Sequence, residues 1–586
     1  MRKNNEVVFT PQQEENHEMV GNFRHFKDSI WWPVVKSLPR STAVLLFPVM
    51  LIIGAFAYTR TLDTHFTKDS VREQEEYVSY LGVTYWKVRH GHVDVVGLTL
   101  AAKPMFLTAT GARNCGLTRH REIPKVRMFS GASSSKSAQS TTPYGTSPFT
   151  VSIRKPIAPL NCTAYNLTGT CPTNLQDHQN SPATATCPDY FRWIHEDLRP
   201  WARTGITQDM VERAKQTANF RLIILKGRAY LETYSRPYQT RDVFSIWGIL
   251  QLLRRYPGKI PDLELMFDCE DWPVVLADRY NGPNVEQPPP LFRYCGNDAT
   301  LDIVFPDWSF WGWAEINIKP WHILLGELKE GTTRIPWLNR EPYAYWKGNP
   351  AVAETRQDLI KCNVSENQDW NARLFAQDWF RESQEGFNKS DLPSQCTYRY
   401  KVYIEGSAWS VSQKYILSCD STTLLVKPKY YDFFTRGLIP VHHYWPIKDD
   451  DKCRSIKFAV DWGNNHKQRA HQIGKVASDF IQEEVKMDYV YDYMFHLLNS
   501  YAKLFRYKPS KSANATELCV ESMVCEAEGS VKKFMMESLV KVPANTDPCT
   551  MPAPFDPPTL YATLQRKESS IQQVESWEKS YWDIKP

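Results

Sequence analysis

The sequence lacks any cluster of basic residues. Its 70 Lys and Arg residues nearly balance 65 Asp and Glu residues, which leaves a formal net charge of only +5 over 586 residues. Proteins that bind nucleic acids concentrate positive charge in a patch or stripe. The even spread of charge therefore indicates that no nucleic acid is a partner.

The sequence also lacks the pattern of a zinc site. No Cys-x-x-Cys pair occurs with a matching set of histidines, and tetrahedral zinc sites need such closely spaced ligands. We therefore expect no structural zinc. The 13 cysteines are an odd number, so at least one thiol stays free or pairs between chains.

The first 41 residues contain neither a cysteine nor an Asn-x-Ser/Thr sequon. Residues 42–58 then run for 17 positions without a charge, the short end of the ~17–25 residues that span a bilayer. Basic residues precede this segment, which favours a cytoplasmic N-terminus. A cleaved signal peptide is the alternative, but such a peptide begins with a short basic leader. We expect an uncleaved type II signal-anchor at 41–60.

All cysteines and all sequons follow that segment. The five sequons are Asn161, Asn166, Asn363, Asn388 and Asn514. N-glycosylation and disulfide bonds belong to the secretory lumen, so we expect a glycoprotein there. No retention tetrapeptide closes the chain. The Golgi membrane is the expected location, and the endoplasmic reticulum is the second choice.

The chain divides into five expected regions. These are a cytosolic tail (1–40), the anchor (41–60), a partly disordered stem (61–185), a main folded domain (186–510) and a C-terminal extension (511–586). A short helix is expected at 68–81, and the Ser-, Thr-, Gly- and Ala-rich stretch 127–150 predicts flexibility.

Strands and helices alternate through the main domain, which predicts an α/β fold. The predicted strands are 220–225, 229–234, a strand starting at 263, 398–404, 423–426 and 439–444. The predicted helices are one capped by Thr207, 242–256, 408–417, 429–435, 478–507 and, after the proline-rich linker 552–558, 560–581.

The strand that begins at Leu263 ends in three carboxylates, Asp268, Glu270 and Asp271, followed by Trp272-Pro273. Ligands bind at the carboxyl ends of strands in α/β proteins, and a carboxylate placed there can take a proton from a nucleophile. Asp271 is the candidate base, with Glu270 as the second candidate. The alternative is a solvated acidic turn.

Three tryptophans lie within six residues, Trp308, Trp311 and Trp313. Indole rings offer flat apolar faces with a polar edge. With Trp272, they are candidates for the wall of a sugar or acceptor pocket. The alternative is a hydrophobic plug beneath a loop.

Two segments have features of phosphate binding. Lys347-Gly348-Asn349 ends an aromatic strand, where glycine allows close approach and lysine supplies a charge. Ser407, Ser410 and Ser412 follow Glu405-Gly406 at a predicted helix start, where free N–H groups attract phosphate. Simple N-capping accounts for at least one of these serines.

Together these motifs resemble glycosyltransferase family 90, which holds the Rumi-like protein O-glucosyltransferases and fungal capsule xylosyltransferases. The resemblance covers about residues 187–510 and is closest to the plant branch. It rests on Cys187-Pro188-Asp189-Tyr190-Phe191, Asp271-Trp272-Pro273, the tryptophan loop and Ala408-Trp409-Ser410-Val411-Ser412.

The resemblance implies a GT-B fold, with two Rossmann-like lobes and the donor in the cleft between them. It implies a UDP-sugar donor, inversion at the anomeric carbon and no required metal. Asp271 matches the family's proposed base and Lys347 its basic residue. Ser412 stands where the family has an arginine, so Arg356, Lys414 or backbone N–H groups are expected to replace that diphosphate contact.

We therefore expect a membrane-anchored transferase that moves glucose or xylose from a UDP-sugar to a glycan or glycoprotein. One alternative is a catalytically weak or inactive carbohydrate-binding protein on the same fold. Another is a glycoside hydrolase, which requires a carboxylate pair about 5–9.5 Å apart.

Overall fold

The computed structural model describes three strands between residues 75 and 100, and residues 159–172, 182, 185–282 and 285–584. The expected anchor at 41–60 and the stretch 127–150 lie outside these residues. Among the residues described, no helix has the length and apolar character needed to cross a membrane. The chain separates into two compact units, residues 1–133 and 134–586.

The first unit contains a three-stranded antiparallel sheet in the order β1-β2-β3. Its strands are β1 (Glu75–Tyr80), β2 (Val83–His90) and β3 (Val93–Leu100). The helix expected at 68–81 is wrong for its second half, because residues 75–80 pair with β2. Valine, threonine and aromatic residues in β2 and β3 favour an extended chain.

The described part of the second unit contains eleven strands and fourteen α-helices. The strands are β4 (Phe220–Leu225), β5 (Arg228–Thr233), β6 (Leu263–Phe267), β7 (Leu291–Arg293), β8 (Ile303–Val304), β9 (Glu341–Gly348), β10 (Ala372–Ala376), β11 (Tyr398–Tyr403), β12 (Thr422–Val426), β13 (Trp445–Ile447) and β14 (Thr516–Leu518). The helices are α1 (Cys162–Thr168), α2 (Trp193–Asp197), α3 (Gln208–Ala214), α4 (Arg241–Arg255), α5 (Trp321–Arg334), α6 (Glu354–Ile360), α7 (Trp379–Gln384), α8 (Ser412–Ser418), α9 (Lys452–Asn465), α10 (Lys467–Glu484), α11 (Met487–Ala502), α12 (Val520–Val524), α13 (Gly529–Glu537) and α14 (Pro557–Ile584).

Six strands form the sheet of a first lobe in the order β14-β5-β4-β6-β7-β8. Strands β6, β7 and β8 are parallel, whereas β4 runs antiparallel to both β5 and β6. Lys226 and Gly227 join β4 to β5 with positive φ angles of 49° and 74°, as a two-residue hairpin turn requires. The predicted hairpin and the predicted helix at 242–256 are confirmed within one residue.

Five strands form the sheet of a second lobe in the order β10-β9-β11-β12-β13, and all neighbouring pairs are parallel. The helix predicted at 429–435 and the strand predicted at 439–444 are wrong. Tyr431 instead exchanges two backbone hydrogen bonds with Gly296 of the first lobe, at 3.0 and 2.9 Å. This tertiary pairing overrides the local preference, and the strand begins only at Trp445.

Helix α8 begins at Ser412, four residues later than predicted. Before it, the Gly406 N–H donates to the Ala408 carbonyl at 3.0 Å, and Ala408 has a φ of 88°. The helix predicted at 478–507 is two helices, α10 and α11, separated at Val485 and Lys486. The Thr207 cap and the final helix are confirmed.

Residues 511–586, predicted as an extension, belong to both lobes. Strand β14 pairs with β5 in the first sheet. Helix α14 packs on the second lobe, where Val574 is buried in its core and the Trp577 ring lies against Trp445. The C-terminal residues are therefore part of the main domain.

Five disulfide bonds join distant parts of the second unit. They are Cys162–Cys525, Cys171–Cys519, Cys187–Cys549, Cys362–Cys453 and Cys396–Cys419. The first three tie residues before α2 to residues after β14, and such long loops lose much entropy when they are closed. Cys269 and Cys295 are free and buried. With the ten paired cysteines they account for twelve of the thirteen, and Cys115 lies outside the described residues.

Candidate active site

The loop after β6 is shaped by buried ion pairs. Arg293 pairs with Asp268 and with Asp302. The Asp302 carboxylate also accepts from the backbone N–H groups of Val274 and Val275 at 3.1 and 2.9 Å, and burial raises its pKa to about 6. Asp268, the first of the three predicted carboxylates, therefore holds the loop and does not face solvent.

Asp271 lies on this loop beside Arg241, the first residue of α4. An Arg241 Nη1–H donates to Asp271 Oδ1 at 2.8 Å and to the Cys269 carbonyl at 3.1 Å. The guanidinium is also 4.7 Å from the ring centre of Trp308. The Asp271 side chain is 26% exposed. One carboxylate oxygen is thus fixed by Arg241, while the side chain stays open to a ligand.

The next residue, Trp272, reaches the second lobe. Its indole Nε1–H donates to the Ser407 hydroxyl at 3.1 Å, and its ring meets Tyr430 edge to face at 5.5 Å. The indole is nevertheless 52% exposed. This contact places the predicted base directly beside the residues predicted to bind phosphate.

The Ser407 side of this contact is organised by Arg356, near the start of α6. Its guanidinium donates to the Glu405 carbonyl at 2.8 Å and to the Ser410 hydroxyl at 3.2 Å, and burial lowers its pKa. Ser410 is hydrogen-bonded in turn to Ser412, oxygen to oxygen at 2.9 Å. A Cβ at Gly406 would lie 3.2 Å from the guanidinium, so glycine permits this approach.

Gly348 and Asn349 join the same cluster from the end of β9. The Asn349 carbonyl accepts from Arg356 at 3.3 Å, and its side chain accepts from the Ala351 N–H at 2.9 Å. Gly348 lies against the Trp346 ring, where a Cβ would be only 2.6 Å away. Six of the predicted donor residues therefore lie together around Arg356. They are Gly348, Asn349, Gly406, Ser407, Ser410 and Ser412.

Lys347 and Lys414 do not join this cluster. Lys347 alternates with Trp346 on β9, so its side chain leaves the opposite face of the sheet from Arg356, whose guanidinium lies 5.8 Å from the Trp346 ring centre. Its ammonium donates to Glu382 and to the Lys389 carbonyl. Lys414 is buried and donates to Asp307 at 3.1 Å and Ser309 at 2.8 Å. Both predictions need correction: Lys414 joins the lobes, and Lys347 lines a separate pocket.

The tryptophan loop is mostly core. Trp308 and Trp311 are fully buried, and Trp311 donates to the Tyr491 hydroxyl at 3.0 Å. Trp313 is half-buried and donates to the Gln239 side chain at 2.7 Å. The prediction that Trp308 and Trp311 line a sugar pocket therefore needs correction, because both rings fill the core. Trp272 alone of the four is largely exposed.

Three residues at the site escaped sequence analysis, namely Arg241, Glu405 and Tyr430. The Glu405 carboxylate accepts from the N–H groups of Lys429 and Tyr430 at 3.0 and 2.8 Å, and burial raises its pKa to about 7. It thereby fixes the loop that carries the Tyr430 ring. Glu405 could have been predicted as a site residue because it directly precedes Gly406 of the predicted turn. No local sequence motif indicates that Arg241 or Tyr430 belongs to the site. Glu270 is exposed beside Asp271.

Four of the five sequon asparagines are exposed, namely Asn161, Asn166, Asn388 and Asn514. Asn363 differs, because it is half-buried and its side chain both donates to the Leu374 carbonyl at 3.2 Å and accepts from the Leu374 N–H at 2.9 Å. A glycan at Asn363 would disrupt this contact. Glycosylation of the other four remains a prediction.

One group of potential metal ligands lies away from Asp271 and the serine cluster. Cys187, His496 and Cys549 are the residues within the described part of the chain whose ligand atoms lie close enough to hold an ion. The two cysteines form a disulfide bond, so their sulfur atoms are not thiolate ligands.

Comparison with known proteins shows the family. The family model for Glycosyl transferase family 90 matches residues 182–578. The "O-glucosyltransferase rumi homolog" of Anopheles gambiae is 25% identical over 351 residues, which cover 57% of this chain and 83% of that protein. The "Protein O-glucosyltransferase 1" of Homo sapiens is 25% identical over 348 residues, covering 56% and 83%.

A third relative, the "O-glucosyltransferase rumi" of Drosophila melanogaster, is 22% identical over 344 residues, covering 56% of this chain and 80% of that protein. The family match extends across both lobes and into α14. The chain belongs to glycosyltransferase family 90 and is therefore a glycosyltransferase.

Proposed function

We propose that this enzyme transfers a sugar, glucose or xylose, from a UDP-sugar to a hydroxyl of a glycan or glycoprotein, with inversion at the anomeric carbon. Relatives named O-glucosyltransferases support glucose. The two lobes and the loops that meet between them are compatible with a GT-B arrangement. The proposal rests most on the Trp272–Ser407 hydrogen bond, which puts Asp271 opposite the serine cluster.

Asp271 is the proposed base. The acceptor hydroxyl gives its proton to the carboxylate oxygen that Arg241 does not hold, and the acceptor oxygen then forms the bond to the anomeric carbon. The bond from that carbon to the UDP oxygen breaks on the opposite side, and UDP leaves with the electron pair. Arg241 fixes the direction in which the carboxylate points.

The leaving diphosphate gathers negative charge, which preorganised donors can stabilise. In this proposal the donors are the hydroxyls of Ser407, Ser410 and Ser412 and the N–H groups of the turn that carries them. Arg356 adds positive charge behind Ser410. The family resemblance implies no cofactor and no required metal ion, and the proposal assigns charge stabilisation to these residues.

A catalytically weak or inactive carbohydrate-binding protein is the second candidate. The serine at 412 favours it, because a hydroxyl cannot make the bidentate, charged contact that an arginine makes with a diphosphate. The Arg356 contact with Ser410 argues the other way, since it keeps a guanidinium within the same hydrogen-bond network.

We propose a type II orientation in the Golgi membrane, with the residues that follow the candidate anchor in the lumen. The five disulfide bonds support an oxidising compartment. The uncharged segment at 42–58 remains the candidate anchor.

A donor screen tests the proposal. Purified full-length protein is incubated with radiolabelled UDP-glucose, UDP-xylose or UDP-galactose, and UDP release is measured with and without EDTA. We expect release from UDP-glucose or UDP-xylose that survives EDTA. Binding of a UDP-sugar without release of UDP would support the second candidate, and release that stops in EDTA would contradict the metal-free account.

A further inference from the structure

A second pocket lies on the second lobe, on the face of the sheet opposite to Trp346. Strand β9 places Tyr345 there, and the Tyr345 ring lies 4.7 Å from Tyr398 of β11 and 5.5 Å from Phe375 of β10. Helix α7 closes one side with Glu382. We call this the aromatic pocket (Tyr345, Phe375, Glu382 and Tyr398). Its volume is about 440 Å³, within the range of roughly 300–1,000 Å³ found for small-ligand sites.

One ring of the aromatic pocket leaves apolar surface open to solvent. Phe375 lies on the edge strand β10 and is 45% exposed. The stacked rings of Tyr345 and Tyr398 lie beside it. An aromatic face combines a large apolar area with low flexibility. The C–H face of a pyranose ring matches such a surface, whereas a charged ligand gains little from it.

The polar lining supplies hydrogen bonds. The Glu382 side chain is more than nine-tenths buried, and its Oε2 has no hydrogen-bond partner among the residues described. Ser394 and Thr397 add hydroxyl groups to the wall. A buried carboxylate oxygen without a donor is costly. Because this oxygen is closed to solvent, a sugar hydroxyl that satisfies it must shift the Glu382 side chain toward the pocket.

The charges of the lining cancel. Three cations, Lys347, Arg381 and Lys389, oppose three carboxylates, Asp378, Glu382 and Glu385. Each cation already has a carboxylate partner: Lys347 is 3.4 Å from Glu382, and Arg381 and Lys389 are 2.8 and 2.7 Å from Glu385. A phosphate would have to break these pairs, whereas a neutral sugar would not.

We infer that the aromatic pocket is a second carbohydrate site, which binds a neutral pyranose unit of a glycan by stacking on Phe375 and hydrogen bonding to Glu382. The site is separate from the proposed donor cleft, because Lys347 and Arg356 approach β9 from opposite faces. The inference does not rest on the proposed donor or on turnover. It gives the enzyme a means to hold a glycan while another part of the substrate reacts.

The sugar has two possible sources. One is an added acceptor glycan, and the other is the protein's own glycan at Asn388, whose side chain donates to the Glu385 carbonyl at 2.7 Å beside the pocket. Both present the same neutral pyranose chemistry. Enzymatic removal of N-glycans from the purified protein separates the sources, because a pocket filled by its own glycan accepts added sugar only after that treatment.

Saturation-transfer NMR on the full-length protein provides the test. Maltotriose, cellotriose and xylotriose are titrated in the presence of saturating UDP, before and after N-glycan removal. We expect at least one trisaccharide to bind. The Phe375→Ala substitution should raise the Kd of that trisaccharide roughly tenfold or more. Phe380→Ala is the matched control, since Phe380 is 51% exposed on α7 but does not line the pocket.

Glu382→Gln provides a second variant and should weaken the same trisaccharide. UDP release from the donor is expected to persist in Phe375→Ala, which distinguishes failure of this site from failure of the transferase proposal. The inference is overturned if no trisaccharide binds in either glycan state, or if Phe375→Ala and Phe380→Ala behave alike. Inorganic phosphate that binds to wild type but not to Phe375→Ala also overturns it.

Discussion

The Trp272 indole N–H donates to the Ser407 hydroxyl at 3.1 Å. This hydrogen bond joins the loop that follows β6 in the first lobe to the turn that follows β11 in the second. It sits one residue from Asp271 and at the start of the serine cluster. The distance between proposed base and proposed diphosphate site therefore depends on it.

Removal of this hydrogen bond should weaken donor binding. Trp272→Phe keeps the ring against Tyr430 but loses the donor, and Ser407→Ala loses the acceptor. A neutral hydrogen bond contributes about 0.5–1.5 kcal/mol, so each variant should raise the donor KM roughly two- to tenfold. The double variant should cost less than the sum of the two, and strictly additive effects would show that the contact carries no coupling.

Ser412→Arg should strengthen donor binding. Ser412 already touches Ser410 in the cluster, and an arginine there would add a charged contact to the diphosphate, worth about 1.5–3 kcal/mol. The donor KM should fall by roughly tenfold or more. Ser412→Ala controls for loss of the hydroxyl. An unchanged KM in Ser412→Arg would mean that Arg356 and the N–H groups already satisfy the diphosphate.

Arg241 should act as a positioning residue for Asp271. Arg241→Lys keeps a charge but cannot hold both Asp271 and the Cys269 carbonyl while stacking on Trp308. We expect kcat to fall roughly tenfold or more with donor KM nearly unchanged, because Arg241 contacts the proposed base and not the serine cluster. A rise in donor KM at constant kcat would place Arg241 in donor binding instead.

Glu405 should make stability depend on pH. Burial raises its pKa from 4.5 to about 7, so the folded protein holds this proton more tightly than the unfolded chain. The stabilisation is complete below about pH 4.5 and is lost as the pH rises to about 7. Glu405→Gln keeps an acceptor for the Lys429 and Tyr430 N–H groups but cannot ionise.

Between pH 5 and pH 7.5, denaturant unfolding should show a larger loss of stability for wild type than for Glu405→Gln. The difference has an upper bound of about 3 kcal/mol. Glu270→Gln, which removes an exposed carboxylate from the facing loop, is the matched control. Parallel pH curves for wild type and Glu405→Gln would show that Glu405 does not carry this dependence.

The strongly patterned elements of the fold could be predicted from sequence. The hairpin of β4 and β5, helix α4, strand β6 and the final helix all follow from periodicity and turn residues, and the structure agrees within a few positions. Elements fixed by distant partners could not. Residues 429–435 form no α-helix because Tyr431 pairs with Gly296, more than a hundred residues away.

The residues of the candidate site also divide into those that the sequence predicts and those that it does not. Asp271, Trp272 and the serines lie at strand ends, where α/β folds bring loops together. The positions of Lys414 and Trp311 could not be predicted, because their sequence neighbours do not show that they are buried. The Lys414 ammonium donates to Asp307 and Ser309, and the Trp311 indole is buried in the core. Arg241 reaches the site from a helix thirty positions away, which no local motif indicates.

Turnover of Asp271→Asn tests the central claim most directly. UDP release and sugar transfer are measured for wild type, Asp271→Asn and the control Glu270→Gln, with thermal unfolding to confirm that each is folded. The account predicts that Asp271→Asn loses about 10²–10⁴-fold in kcat while it keeps the thermal midpoint and UDP binding of wild type, and that Glu270→Gln retains activity. Wild-type turnover by Asp271→Asn, or its loss in Glu270→Gln alone, would contradict the account.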